Sequence, residues 1–323
     1  MLIATSPAMR AVLADAHAFS PSKNSIVLVG ATGTGKGMVA RFIHDISAGA
    51  GAPFVVVNGP ELGDGLIRDT LFGHEPGAFT GAVGSRKGLV AVAAKGTLFI
   101  DELGDMPRRV QAYFLRLLQD RRWMSAGSSM EQVMACRVIV ALQVHPALLM
   151  AEERMMADLR FRFGDLVIQV PRLAEHAEDI PELASHFLSE LRQLHDSESD
   201  RPPLTFSPET LAALVAFDWP GNIRELEKVA EHGYLRARAR RASSVAPTDL
   251  PGRLTEHPIR LTPAQRQIVV RWYFPTDAPP RLNRGALADA LGVSPGTVDN
   301  DRAALRDQAG GPGVSGSGNA ASA

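Results

Sequence analysis

The sequence predicts an α/β fold with a doubly wound, parallel five-stranded sheet in the first 170 residues, followed by helical segments. Two observations support this fold class. Five short apolar, β-branched runs occur in this part of the chain, and helix-patterned amphipathic stretches separate them. The runs are 25–29, 54–57, 97–100, 137–142 and 166–170. After about Pro171 the strand pattern stops and helical patterns remain.

The composition is that of an ordinary globular protein, with 45% hydrophobic and 21% charged residues among 323. This balance excludes a fully disordered chain. The 34 Lys and Arg against 35 Asp and Glu give a net charge of -1, so nucleic-acid binding must depend on a local patch. The single cysteine, Cys136, excludes an intrachain disulfide. Without a long apolar run or a secretory signal pattern, we expect a cytoplasmic protein with no membrane partner.

The chain divides into five predicted segments. They are an α/β subdomain at 1–170, a small helical subdomain at 171–241, a linker at 242–258, a last helical unit at 259–309 and a tail at 310–323. The pair Ser207-Pro208 predicts a helix start in the second segment. An arginine-rich run at 236–241 is expected to be a solvent-exposed helix face. The tail contains mostly Gly, Ser and Ala and is expected to be disordered.

A glycine-rich loop follows the first predicted strand directly and precedes a helical pattern that starts near Met38. Its residues are Gly30, Ala31, Thr32, Gly33, Thr34, Gly35, Lys36 and Gly37. This is a Gly-x-x-x-x-Gly-Lys motif in its required context, in which backbone N–H groups and a helix N-terminus converge on phosphate oxygens. We expect ATP to bind here, with Lys36 at the outer phosphates. The alternative is an ordinary glycine-rich turn.

Two carboxylates follow the predicted strand at 97–100. At the carboxyl end of such a strand, Asp101 is placed to orient hydrated Mg²⁺, and Glu102 to polarise an attacking water as a general base. The position after Lys36 usually holds the Ser or Thr that ligates Mg²⁺, but this chain has Gly37. The metal must therefore depend on other groups.

A third motif makes the chain resemble the AAA+ activators of sigma-54 RNA polymerase. It comprises Gly77, Ala78, Phe79, Thr80, Gly81 and Ala82, which is the Gly-Ala-Phe-Thr-Gly-Ala loop of that family without substitution. The glycines permit a tight loop that carries one exposed aromatic, which is typical of a partner surface. The alternative is that Phe79 packs into the protein's own core.

Other matches to this family extend over about residues 5–240. They lie at 6–9, 96–107, 111–119 and 219–227, the last of which resembles the lid signature. The resemblance implies an AAA+ P-loop NTPase core with a small α-helical lid, assembled as a homo-hexamer with ATP at the subunit interfaces. It also implies that hydrolysis moves loop 77–82, which engages sigma-54 and remodels the closed promoter complex.

The resemblance assigns roles to single residues. It implies that Asn58 switches the catalytic Glu102, that Arg224 senses the γ-phosphate, and that Arg162 reaches the site of the neighbouring subunit. The alternative for Arg224 is a surface helix charge, but its place after Gly221-Asn222 favours the nucleotide role. Several positions depart from the family pattern. They are Gly37, Leu142 in place of a threonine, Gln143 in place of the sensor asparagine, Met156 in place of a second interface arginine, and Ala174 and His176 in place of two further arginines. Because the absence of an oriented interaction of this kind slows turnover about tenfold or more, we expect a slow ATPase or one that needs a partner, with complete loss of hydrolysis as the alternative.

The last helical unit resembles a helix-turn-helix. We expect its second helix, which starts at Ser294, to bind the major groove of a promoter-upstream site. The available contact residues are Ser294, Thr297, Asn300, Arg302 and Arg306. Against this, Asp299, Asp301 and Asp307 on the same helix repel phosphates. A helical packing or oligomerisation module is the alternative.

These patterns lead to two main hypotheses. The first is an ATP-hydrolysing transcription activator, and the second is a nucleotide-binding, DNA-bound regulator or scaffold with little hydrolysis. A metabolic P-loop kinase is a weaker third hypothesis, because it explains neither loop 77–82 nor the lid signature. Since the α/β core begins almost at Met1, we expect no N-terminal regulatory domain, and an inhibitor protein acting in trans would be a substitute.

Overall fold

The computed structural model describes residues 2–47, 51–59, 67–80, 82–196, 201–256 and 259–309. The chain forms two compact units. The first comprises the chain up to His176 together with Gly221–Arg224, and the second comprises Ala177–Pro220 and the chain from Glu225 onward. The tail at 310–323, which we expect to be disordered, lies outside the described residues.

The first unit contains nine strands and seven α-helices within the described ranges. The strands are β1 (Ile26–Val29), β2 (Phe54–Asn58), β3 (Gly73–His74), β4 (Arg86–Lys87), β5 (Thr97–Asp101), β6 (Arg122–Trp123), β7 (Gln132–Val133), β8 (Arg137–Leu142) and β9 (Val167–Gln169). The helices are α1 (Pro7–Phe19), α2 (Lys36–Ser47), α3 (Ile67–Phe72), α4 (Leu89–Ala93), α5 (Arg108–Asp120), α6 (Pro146–Ala151) and α7 (Ala157–Phe163).

Five of these strands form the parallel sheet that the sequence predicts, in the order β2-β5-β8-β1-β9. Successive residues of a strand point to opposite faces, and both faces are buried. Ile26 and Leu28 pack with residues of α1 and α2, whereas Val27 and Val29 belong to a second core with α3 to α7. The doubly covered sheet is therefore confirmed, and the carboxyl ends of its strands lie along one edge.

The second unit is mainly helical. Its helices are α8 (Ile180–His195), α9 (Pro208–Ala216), α10 (Asn222–Ala239, whose first residues belong to the first unit), α11 (Pro263–Tyr273), α12 (Arg284–Leu291) and α13 (Pro295–Ala309). Ser207 is the N-cap of α9, as predicted, and its hydroxyl accepts a hydrogen bond from the Thr210 amide. None of the helices in the described ranges has the length and hydrophobicity that a membrane-spanning segment needs.

The segment predicted as a linker, 242–258, carries ordered structure in its described part. Strand β11 (Ser244–Val245) pairs in parallel with β10 (Thr205–Phe206), and two 3-10 turns follow at Pro247–Asp249 and Gly252–Leu254. The buried Asp249 accepts hydrogen bonds from Arg240 and from the Ala246 amide. His257 and Pro258 lie outside the described residues.

The expectation of a solvent-exposed arginine face at 236–241 is wrong for Arg238. Arg238 is largely buried and forms an ion pair with Asp196 at 2.7 Å. Arg240 is exposed, as expected, and pairs with the buried Asp249 at 2.6 Å. Both arginines pair with carboxylates that are largely shielded from water, and such carboxylates need a charged or hydrogen-bonding partner. This requirement is not visible in the local sequence pattern.

Candidate nucleotide site and interaction surfaces

The phosphate loop (residues 30–36) connects the buried strand β1 to α2, which begins at Lys36 rather than near Met38. Gly33 and Gly35 have φ angles of +80° and +90°, which favour glycine. A Cβ on Gly33 would lie 2.3 Å from the Gly221 carbonyl oxygen, and one on Gly30 would lie 2.6 Å from that of Val170. The backbone is therefore packed closely against its neighbours, and Gly30 and Gly33 have no room for a side chain.

Lys36 lies inside this curve. Its buried ammonium donates hydrogen bonds to the carbonyl oxygens of Gly30 at 2.7 Å and Ala31 at 3.1 Å. Burial lowers the pKa of the Lys36 ammonium, while the carboxylates of Asp101 and Glu102 oppose that shift and Arg224 adds to it. Asp101, Glu102 and Arg224, the three charged residues that the sequence assigns to the nucleotide, therefore all influence the pKa of Lys36.

Asn58, Asp101 and Glu102 come together at the carboxyl ends of β2 and β5. Asn58 is the register partner of Asp101, and Asp101 Oδ1 accepts a hydrogen bond from the Glu102 amide at 3.0 Å. Glu102 adopts a left-handed φ of +54°. A Cβ on Gly59 would lie 2.8 Å from the Glu102 carbonyl oxygen. Gly59, to which the sequence pattern assigns no role, thus permits the close approach of the two strand ends.

Gly37 and Thr34 bear on how a metal ion could be held near the phosphate loop. A Cβ on Gly37 would have no atom nearer than a Phe99 ring carbon at 4.0 Å. Crowding therefore does not explain why this position lacks the usual Ser or Thr. The Thr34 hydroxyl donates to the Ala31 carbonyl at 2.9 Å. In the described ranges no group of three or more His, Cys, Asp or Glu side chains is arranged to hold a metal ion.

Gln143 and Arg162 lie apart from each other. Gln143 follows β8, and its Nε2 donates to Asp105 Oδ2 at 3.1 Å, in the 3-10 turn Leu103–Asp105 after Glu102. Arg162 is exposed near the end of α7 and has no ion-pair partner among the described residues. Met156 is the N-cap residue of α7.

An interaction that the sequence pattern does not predict joins the segment 221–224 to the phosphate loop within the first unit. The buried Asn222 donates through Nδ2 to the Thr32 carbonyl at 2.9 Å and accepts through Oδ1 from the Leu173 amide at 2.9 Å. The Ile223 amide donates to the Gly33 carbonyl at 2.9 Å. Arg224 is exposed, and its Cβ lies 3.2 Å from the position of a Cβ on Gly33. The one sequence signal for this interaction is the residue pair Gly221-Asn222 after Trp219-Pro220.

The Phe79 loop (residues 77–82, of which Gly81 lies outside the described residues) is a compact turn. The Gly77 amide donates to the Ala82 carbonyl at 2.9 Å, and the Ala82 amide donates to the Phe79 carbonyl at 3.0 Å. Phe79 is 47% exposed, so its ring is not packed into the core. Gly77 has a φ of +82°, and a Cβ at this position would have no atom within 4 Å.

His74, which the sequence pattern leaves without a role, supports this loop. Its ring contacts Phe79 edge-on, with 5.0 Å between the ring centroids. Its Nδ1 lies 2.5 Å from Asp69 Oδ1, and Arg86 pairs with the other oxygen of that carboxylate at 3.3 Å. The base of the loop is also fixed by backbone bonds between Glu75, Gly73 and Ala126.

Helices α12 and α13 are joined by a tight turn in which Gly292 adopts the left-handed conformation. The Ser294 hydroxyl accepts from the Thr297 amide at 3.2 Å and contacts its hydroxyl at 3.0 Å. Ser294 and Thr297 are therefore engaged in capping α13. Val298 is buried, as the helix-turn-helix pattern predicts.

The charged residues of α13 divide into two groups. Asp301 is buried and forms an ion pair with Arg266 of α11 at 2.5 Å, while Asp299 pairs with Arg284 at 2.7 Å. Arg302 lies over the Phe274 ring at 4.4 Å from its centroid. Asn300 and Arg306 are exposed. The charge of Asp301 is thereby neutralised within the unit, whereas Asn300, Arg306 and the acidic Asp307 are exposed, so the repulsion of phosphate expected from Asp307 persists.

The comparisons with known proteins agree with this geometry. A model of the sigma-54 interaction domain matches residues 2–169, and a model of the AAA+ ATPase lid domain matches residues 174–267. The chain is 40% identical over 230 residues to the Nif-specific regulatory protein of Herbaspirillum seropedicae, which covers 71% of this chain and 42% of that protein. It is 39% identical over 232 residues to the sigma54-dependent transcriptional activator SfnR of Pseudomonas putida, covering 71% of this chain and 62% of that protein. The chain thus spans less than two thirds of the length of these relatives.

Solved structures with the same fold include nucleotide complexes. NtrX from Brucella abortus in complex with ADP has a TM-score of 0.71 and 26% identity, covering 95% of this chain and 70% of that chain. Hsp104 in its closed state has a TM-score of 0.57 and 17% identity, covering 72% of this chain and 45% of that chain, and shares the fold alone.

Proposed function

We propose, because this chain belongs to the sigma-54-dependent activator family of AAA+ proteins, that it hydrolyses ATP between adjoining subunits and uses the Phe79 loop to remodel sigma-54 RNA polymerase. The observation that carries the proposal is the joint presence of two features in one unit. The phosphate loop lies beside the paired ends of β2 and β5, and the same unit presents a half-exposed Phe79 on an ordered turn.

The phosphate loop fits a triphosphate. Gly30 and Gly33 have no room for side chains, and the Lys36 ammonium contacts two neutral carbonyl oxygens of the loop. A phosphate would offer this ammonium an anionic partner, and the N-terminus of α2 favours negative charge. Arg224 approaches the same loop from the segment 221–224 and would contact the γ-phosphate.

Asp101 and Glu102 would divide the chemistry between them. Asp101 would hold Mg²⁺, mainly through water, because Gly37 offers no hydroxyl ligand. The ion, when bound, would neutralise charge on the phosphate oxygens. Glu102 would accept the proton of the attacking water, and Asn58 would set the orientation of Glu102 from the adjacent strand end.

Arg162 would complete the site of a neighbouring subunit in a homo-hexamer. Its exposure at the end of α7 supports this role. An arginine of this kind stabilises the charge of the transition state and raises the hydrolysis rate by a factor of about 10³ or more. An ATPase assay across protein concentration tests the assembly, and a rate that rises more than linearly is expected. Arg162→Ala should lower the rate at saturating protein, while a strictly linear dependence in the wild type would contradict the shared site.

The hydrolysis rate is expected to be slow. Gly37 lacks a metal-ligating hydroxyl, Met156 lacks a guanidinium, and the Gln143 amide is engaged by Asp105. Each of these removes an oriented interaction from the reacting groups. A turnover number well below one per second under saturating ATP is therefore the expected result.

The C-terminal helices would tether the protein to DNA upstream of a promoter. Asn300 and Arg306 face outward on α13, whereas Arg302 is held on Phe274. Asn300→Ala should weaken specific binding by about tenfold, since a base contact of this kind is worth about 1–3 kcal/mol. Exposed Ala303→Ser on the same helix serves as the control. Equal binding of specific and unrelated DNA by the wild type would favour a packing module instead.

A nucleotide-binding, DNA-bound scaffold is the second candidate. The engaged Gln143 and the absent arginine at Met156 favour it. Phosphate release by wild type and by Glu102→Gln separates the two candidates. A wild-type rate at least about tenfold above the variant supports the ATPase, and equal background rates support the scaffold.

A further inference from the structure

A chain of polar contacts leads from Gln143 to the turn between α6 and α7. Gln143 Nε2 donates to Asp105 Oδ2 at 3.1 Å, and Asp105 Oδ1 accepts from the Arg154 guanidinium. The other amino group of Arg154 pairs with Glu152 at 3.1 Å. The Asp105 carboxylate thus uses both of its oxygens, one toward the end of β8 and one toward the turn at 152–156.

The backbone of the same turn is held independently by Gln111 of α5. This side chain is fully buried, and its Nε2 donates to the carbonyl oxygens of Met106 at 3.0 Å and Arg154 at 2.6 Å. Its Oε1 accepts from the Met156 amide at 3.0 Å. Because Met106 follows Asp105 directly, the 3-10 turn and the start of α7 are fixed to each other on two sides.

The position of α7 matters because this helix carries Arg162. Leu159 and Phe163 of α7 are buried in the core, and Arg162 lies between them in sequence on the exposed face. A seven-residue helix anchored at its N-cap turns as one body, so a shift at residues 154–156 is passed to Arg162.

We propose that Asp105 is a positioning residue that couples the orientation of the Gln143 amide to the placement of the α6–α7 turn, and through it to Arg162. The inference rests on the proposed function, since it takes from it the roles of Gln143 and Arg162 at the nucleotide. When the Gln143 amide turns away, the Asp105 carboxylate loses one hydrogen-bond donor. Both of its oxygens then become available to Arg154, and the Asp105 side chain shifts toward it. The state of the subunit's own nucleotide site is thereby transmitted to the arginine that serves the next subunit.

The first test measures amide hydrogen exchange at residues 154–156 in the full chain without nucleotide. These amides are protected by bonds to Leu149 and Gln111. Gln143→Ala and Asp105→Asn should each raise their exchange by about threefold or more, and the double variant should add nothing beyond Asp105→Asn. Gln169→Ala is the matched control, because this exposed side chain at the end of β9 makes no hydrogen bond to the described residues. Exchange in Gln143→Ala equal to that in the control overturns the inference.

The second test exchanges donor and acceptor. In Asp105→Asn one carboxylate oxygen becomes an NH2 donor, so the side chain can accept from only one of Gln143 and Arg154. Adding Gln143→Glu gives this NH2 an acceptor and leaves the Asn oxygen for Arg154. Each single variant should lower kcat by about fivefold with KM for ATP changed less than twofold, and the double variant should recover at least half of the loss. A double variant as slow as the product of the two single effects contradicts the coupling. If the wild type hydrolyses no ATP, the proposed function fails, and the exchange measurement still decides the coupling.

Discussion

Two glycine-containing loops of the first unit, the phosphate loop and the Phe79 loop, differ in what surrounds their glycines. In the phosphate loop, Gly33 combines a φ of +80° with a backbone carbonyl 2.3 Å from the position of a Cβ. In the Phe79 loop, Gly77 has nearly the same φ, +82°, but open space around it. One glycine is therefore required by close packing and by its dihedral angle, and the other by its dihedral angle alone.

The difference indicates how each loop obtains its shape. The phosphate loop is held by residues distant in sequence, because Asn222 and Ile223 bind its carbonyl oxygens. The Phe79 loop is held internally by short-range bonds between residues 75 and 82 and by His74 beneath Phe79, while the distant Ala126 binds its base at Gly73 and Glu75. A loop of the first kind is fixed before ligand arrives, whereas one of the second kind can change position as a body when its base moves.

Gly33→Ala should have the largest effect. The new methyl group meets a backbone carbonyl and a left-handed dihedral, so we expect the free energy of unfolding to fall by about 3 kcal/mol and nucleotide affinity to fall tenfold or more. Denaturant unfolding and nucleotide titration measure both. Gly84→Ala is the matched control, because open space surrounds Gly84 and its φ is not left-handed. Unchanged nucleotide affinity in Gly33→Ala would show that the loop is not preformed.

Cys136 provides an independent measure of the same change. Burial raises the pKa of its thiol to about 11, so at pH 8 the folded protein holds it protonated and shielded. Thiol labelling at pH 8 should be slow in the wild type and faster in Gly33→Ala as opening of the first unit becomes more frequent. Rapid labelling of the wild type would contradict the buried placement of Cys136 beside β8.

Asn222→Ala should have the next largest effect. It leaves the Thr32 carbonyl and the Leu173 amide without their partner, at a cost of about 2 kcal/mol. Nucleotide affinity should fall severalfold, because the loop loses its anchor. Asn222→Asp keeps the acceptor for Leu173 but sets a buried carboxylate oxygen against the Thr32 carbonyl and beside the phosphate loop, so nucleotide affinity should fall at least as far as in Asn222→Ala. A nucleotide titration that finds Asn222→Ala equal to wild type would refute the anchoring role.

Gly77→Ala should have a smaller effect of a different kind. With only the dihedral penalty, the free energy of unfolding should fall by about 1 kcal/mol, and nucleotide affinity should stay within twofold of wild type. Calorimetry and nucleotide titration check the two quantities. A loss of nucleotide affinity as large as in Gly33→Ala would mean that the two loops are not independent in the way described.

Gly37→Ala should have the smallest effect, and of opposite sign. Gly37 lies in the first turn of α2 with space for a methyl group, so alanine should raise the free energy of unfolding by about 0.5 kcal/mol. Denaturant unfolding measures this gain. A destabilised Gly37→Ala would show that this position is packed more tightly than the structure has it.

The sequence predicts the fold well because the signals are local. Five apolar runs give the five sheet strands, and the phosphate loop is defined by residues adjacent in the chain. The hydrogen bond between Asn222 and Thr32 joins positions 190 residues apart, and no local pattern predicts it. The same holds for the support of Phe79 by His74 and for the hydrogen bond between Gln143 and Asp105, since each depends on tertiary placement. The buried pair of Arg266 and Asp301 likewise appears in the sequence only as two surface charges.

The central claim is that ATP hydrolysis drives the Phe79 loop against sigma-54 polymerase. Its most direct test is a promoter-melting assay with the full chain, sigma-54 polymerase and ATP. Melting is measured by the chemical reactivity of unpaired thymines. Melting is expected with wild type and with Val83→Ala, which alters a 94% exposed residue beside the loop, and no melting with Thr80→Ala. A wild-type protein that binds nucleotide and sigma-54 but never melts the promoter would contradict the account.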